Sequence, residues 1–130
     1  MDIVLRTHND SYLAFRDIQR YSDQSGFCAQ LVARARGFGA QLLFCVEPEA
    51  FTAFVEALEA MDRTLTGEAR LKPIFEDPFI HVSVGHTGRV TVSGDLVAYG
   101  PLTQRLQFAL ETDQTALGPF IRDLRSCITM

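Results

Sequence analysis

One pattern occurs twice in this chain, and it constrains the fold more than any other feature. The segments LLFCVEPEAFTAFVEAL (42–58) and LQFALETDQTALGPFIRDL (106–124) share a frame. Each has a Phe, an aliphatic residue two positions on, a Glu, a helix-start pair, and then an apolar-x-x-Phe-β-branched-x-x-Leu face. A two-residue period thus gives way to a helical one, which marks a strand feeding a helix. The second copy is two residues longer between its Phe and its helix face. The repetition predicts a duplicated strand-strand-helix unit over 27–63 and 79–127, with chance likeness of two amphipathic junctions as the alternative. One such unit exposes its apolar face, so two should share one core.

The remaining segments fill in around that frame. Residues 2–6 and 12–19 read as strands, the second alternating Leu13, Phe15 and, less cleanly, Ile18. Tyr21 to Gly26 reads as a loop. The run FCAQLVARARGFGAQLLFCV then holds two strands about a turn. A two-residue loop at Gly37-Phe38 would pair Leu31 with Phe44 and Ala33 with Leu42, placing both apolar sets on one side. Pro48 and Glu49 open a helix that Gly67 closes. Strands follow at Ala69–Phe75, Phe79–Val84 and Arg89–Leu96. A three-residue loop, His86-Thr87-Gly88, with Gly88 at positive φ, pairs Val84 with Val90 and Val82 with Val92. A last strand near 103–111 leads into the final helix, where Pro119 marks either the helix start or a bend. The expected class is α+β: mainly antiparallel sheet with two helices, in a single domain over 1–130.

Charge narrows the partners. The net charge of −4 opposes nucleic acid and anionic lipid. Residues 47–77 concentrate it, with eight acids against Arg63, Arg70 and Lys72. The start, MDIVLRTHND, lacks the apolar core of a signal peptide, and no apolar run approaches the roughly 20 residues that span a bilayer. Cys28, Cys45 and Cys127 lack metal or redox spacing and read as free thiols, with Cys28 and Cys45 diagonal on one hairpin. The expected location is the cytoplasm.

The chemical motifs are weak. Arg36-Gly37-Phe38-Gly39 opens like an RNA-recognition signature, but Ala40, Gln41 and Leu43 stand where Phe, Val and a stacking aromatic are needed. A hairpin turn accounts for the glycines. GFGAQL also lacks the third glycine of a dinucleotide fingerprint. His81 and His86 lack a third ligand for zinc, and no serine or cysteine has a base and an orienting acid at recognisable spacing. The expectation is no catalytic residue, no cofactor and no metal.

Two groups remain. Thr112 or Asp113 is placed to accept hydrogen bonds from the first free amides of the final helix. Glu49, Glu56, Glu59 and Asp62 lie off the apolar stripe of the first helix. They read either as a solvated face or as a docking surface for a basic partner.

From Phe51 onward the chain resembles the WapI-type immunity proteins of bacterial contact-dependent toxin systems. The residues that carry this are Leu65-Thr66-Gly67-Glu68-Ala69, Gly88-x-Val90-x-Val92-x-Gly94, and Leu106-x-Phe108-x-Leu110-Glu111-x-Asp113-Gln114-Thr115. The resemblance implies a small, non-catalytic intracellular protein that binds and neutralises a cognate toxin domain, and the acidic balance agrees with a basic one. The rival reading is a ligand-binding domain or enzyme with a cleft between the halves, lined by Asp113, Gln114, His81 or Arg34.

Overall fold

The computed structural model describes residues 2–20, 26–73 and 78–128. The first half is β1 (Ile3–Arg6), β2 (Tyr12–Arg20), β3 (Phe27–Arg34), β4 (Gly39–Val46) and α1 (Pro48–Thr64). The second is β5 (Glu68–Leu71), β6 (Phe79–Val84), β7 (Arg89–Ala98), β8 (Gln104–Asp113) and α2 (Gln114–Ile128). Each half is a four-stranded antiparallel sheet with its strands in chain order. The fold is α+β. Each helix leaves the last, edge strand of its sheet, so both halves carry four strands rather than two before the helix. The expected loop at Tyr21–Gly26 and the end of the expected strand Ala69–Phe75 lie largely outside the described residues.

The inward faces of both sheets and both helices contribute to one core. α1 presents Phe51, Phe54, Val55, Leu58 and Met61, the stripe that its helical spacing dictates. α2 presents Leu117, Phe120, Ile121, Leu124 and Cys127. The rings of Phe27 and Phe51 stack at 4.5 Å, and Phe15 meets Phe120 at 6.1 Å. α1 packs on β5 and α2 packs on β1, so each helix lies against the first strand of the other half. Gly94 serves the core by its lack of a side chain. A Cβ there would stand 2.7 Å from the ring of Phe108 directly opposite and equally close to the Phe79 carbonyl.

Three local expectations need correction. The β3–β4 loop is Ala35–Phe38, four residues closed by Ala35 N–H donating to the Phe38 carbonyl at 2.8 Å. Leu31 therefore faces Leu42, and Ala33 faces Ala40. A shift of two keeps every side chain on its face, so the apolar parity survives while each partner changes. Cys28 now faces Cys45 directly, at a Cα separation of 4.1 Å, and the two form a disulfide, not free thiols. Lastly, α1 ends at Thr64, three residues before Gly67. Leu65 takes the left-handed cap position, at φ 59°, with its N–H on the Met61 carbonyl.

Other irregularities have plain causes. Asp17 sits at φ 54° in a bulge that sets two residues of β2 against one of β3. That extra residue brings Ile18 back toward the core, which explains its imperfect alternation with Phe15. Gly88 lies at φ 80° in the β6–β7 loop, where Val84 faces Val90 and Val82 faces Val92 as the sequence requires. Pro119 lies inside α2, which begins five residues earlier.

Candidate functional site

Two hairpin turns of the first sheet overhang one end of the second. The row Arg6, Tyr12, Arg34 and Gly39 crosses the end of the first sheet from β1 to β4. Beyond it, the β1–β2 turn is knotted by its own side chains. Thr7 Oγ1 donates to the Ser11 carbonyl at 2.7 Å, and Ser11 N–H donates to Asn9 Oδ1 at 2.8 Å. Buried Thr112 donates its hydroxyl to the Arg6 carbonyl at 2.7 Å, tying β8 to β1. Thr112 is therefore a cross-sheet tie and not a helix cap. Between these turns and the end of β8 lies an open groove of about 860 Å³.

The groove is rich in paired charge. Asp113 Oδ1 accepts the Thr115 N–H at 2.9 Å and the Thr115 hydroxyl, which caps α2. Its Oδ2 meets His8 Nε2 at 2.7 Å. The Thr115 hydroxyl above all, with the Thr115 amide and His8, holds the Asp113 carboxyl below its ordinary value against the cost of desolvation. Arg89 pairs with Glu111 on the neighbouring strand. Two residues of the β3–β4 turn stand apart from this network. Arg36 is exposed and makes no hydrogen bond or ion pair among the described residues. Phe38 is 72% exposed. Neither Gly37 nor Gly39 between and beside them adopts a positive φ, so the turn geometry does not demand glycine there.

Of the residues expected in a cleft, only Asp113 lines this groove. Gln114 reaches the Asp62 carbonyl on α1 at 3.5 Å. His81 pairs with Glu68 at 3.0 Å on the outer face of the second sheet. Arg34 borders a smaller depression of about 300 Å³ with Gly39, Ala40 and Gln41. Among the described residues, no cluster of three or more His, Cys, Asp or Glu is arranged to hold a metal ion.

The acidic face of α1 is less free than its sequence suggests. Glu59 accepts from Arg125 on α2 through both carboxylate oxygens, Nε at 3.1 Å and Nη2 at the other oxygen. That guanidinium lowers the Glu59 carboxyl below its ordinary value, in spite of partial burial. Asp62 is half-buried beside α2, leaving Glu49 and Glu56 as exposed acids. The missed signal was Arg125, which lies 66 residues away in sequence and comes alongside α1 only through helix packing.

No family model and no curated protein matches the chain. Among solved structures, it is similar to the trypanosome MRP1/MRP2 structure, with a TM-score of 0.55 and 11% identity. The likeness covers 98% of this chain and 82% of that one. It is one of fold alone. It does not bear on the resemblance to immunity proteins.

Proposed function

We propose that this chain is a non-catalytic binding protein of the immunity type, and that its partner, a toxin domain, docks at the groove beside β8. The observation that carries this reading is the contrast at the groove's rim. Its other charged side chains are satisfied internally, while Arg36 and Phe38 project unpartnered from one turn. Arginines and aromatics are the side chains that most often dominate binding energy at protein interfaces. The catalytic rival fits less well. A general base works best with a pKa near the operating pH, whereas Asp113 is held ionised by Thr115 and His8. The groove's size suits a small ligand, since such sites run to roughly 300–1,000 Å³. Its length open to solvent along a strand suits a macromolecule better.

The reading moves the contact away from the α1 acids. Glu59 is committed to Arg125, so a surface of Glu49, Glu56, Glu59 and Asp62 loses one of its central charges. The test is calorimetric titration of the full chain with the toxin domain encoded beside its gene. Arg36→Ala and Phe38→Ala should each weaken binding by roughly tenfold or more, the effect of an interface anchor. Reversal of Glu49 and Glu56 should change it little. Undiminished binding by both groove variants would remove the groove from the interface. No binding of the toxin domain by the native chain would remove the immunity role.

A further inference from the structure

We infer that the groove binds an extended, acidic peptide segment by adding it as a fifth strand to the free edge of β8; this rests on the docking reading above and names its chemistry. The geometry points to an edge and not a face. Ala109, Leu110, Glu111, Thr112 and Asp113 all line the groove. Side chains on a strand alternate between faces, and here buried Leu110 alternates with exposed Ala109 and Glu111. Five consecutive residues share one groove only if it runs along the backbone.

β8 is the last strand of its sheet, and among the described residues no strand pairs with its outer side. Natural edges are commonly blunted by proline, bulges or inward charges. β8 has none of these. Its register against β7 is unbroken from Arg89–Asp113 to Ala98–Gln104, and no proline falls within it. The edge is tied at one end, where Thr112 reaches β1, and at the other a second depression of about 260 Å³ lies between Gly39–Leu42 of β4 and Gln104, Arg105 and Leu106. Between these lies Gln107–Glu111, five residues or roughly 17 Å of strand. That is a length suited to a single added strand, with backbone hydrogen bonds supplying affinity and flanking side chains supplying selection.

The flanking charge selects an acidic segment. Arg6, Arg34 and Arg36 are exposed at the end of the first sheet that borders the groove, and none has an ion-pair partner among the described residues. The groove's own carboxylates, Glu111 and Asp113, are already paired.

The probe is a seven-residue peptide alternating valine and glutamate, compared with its valine–lysine counterpart and a ten-nucleotide oligothymidine. Amide resonances and exchange rates of the full chain are the readout. The acidic peptide should shift and slow the amides of Gln107–Glu111. Arg36→Glu should weaken it by roughly threefold to tenfold, the scale of an exposed ion pair turned repulsive. Tighter binding of the lysine peptide overturns the charge assignment. Slowed amides outside β8, or none, overturn strand addition, while an Arg36 and Phe38 effect on toxin binding would leave the docking reading standing. Oligothymidine displacing the peptide assigns the edge to nucleic acid and overturns the proposal.

Discussion

Asp113 occupies two environments at once. One carboxylate oxygen caps α2 through Thr115, and the other faces the groove and His8. It is both punctuation and lining. Its position between an apolar strand and an apolar helical stripe made the cap legible, because orphan amides at a helix start need an acceptor. Its contact with His8 was not legible, since that depends on how two sheets cross. With its native pKa below the ordinary 3.8, Asp113 stabilises the fold in full above that value. The contribution fades as pH falls through the lower native pKa, where the folded carboxylate finally protonates. The melting temperature of Asp113→Asn should therefore lie below that of the native chain at neutral pH, and the two should converge in acid. A gap that persists well below pH 3.8 would assign the loss to some other cause. Glu59 follows the same sign below its ordinary 4.5, through Arg125. Lysine at Glu59 should lower the melting temperature at neutral pH, and lysine at exposed Glu56 should leave it nearly unchanged. Equal melts for the two would deny the Glu59–Arg125 clamp a structural role.

At the scale of elements, alternation and helical spacing carried most of the information. The register of β6 with β7 followed from requiring Val82, Val84, Val90 and Val92 on one side, with Gly88 available for positive φ. The register of β3 with β4 did not follow. Parity excludes odd slips but is blind to a shift of two, and RARGFG offers turn residues at several positions. The disulfide was hidden by that ambiguity together with the expectation of a reducing cytoplasm. The end of α1 was hidden differently, because Gly67 drew the helix boundary to itself while Leu65 made the cap. A non-glycine residue in the left-handed region costs roughly 1–2 kcal/mol, and Leu65 is 45% exposed. Leu65→Gly should therefore stabilise the chain by about 1 kcal/mol, after allowing for glycine's freedom when unfolded. Chemical denaturation measures it. A destabilised variant would show that the leucine side chain contributes more than its cap geometry costs.

Across the whole molecule, the two halves are interlocked. α1 lies on β5 and α2 lies on β1, with the helices touching each other, while Phe51 of α1 also stacks on Phe27 of β3 and α2 also meets β7 and β8. The repeated frame of 42–58 and 106–124 announced two strand-helix junctions, and both occupy the same place in their sheets. The sequence could not announce these contacts between the halves, because an apolar stripe does not say which sheet it will cover. Residues 1–66 or 67–130 alone should thus fail to give a cooperative melt, and the full chain should unfold in one transition. A stable half by circular dichroism would contradict the interlock. Unfolding also releases Cys127. In the native chain it is buried in α2, and burial pushes its thiol above the ordinary 9.0. There it is enclosed by the core. Once the chain opens, the same sulfur becomes a competent nucleophile, attacking either disulfide sulfur and displacing the other as a thiolate. The number of bonds is conserved and their pairing is not. Heating in alkali is then a one-way journey: successive calorimetric scans should diminish near pH 9, persist in mild acid, and become repeatable at both when Cys127 is replaced by Ser. Native scans that repeat without loss in alkali would show that the third cysteine stays a bystander even in the unfolded chain.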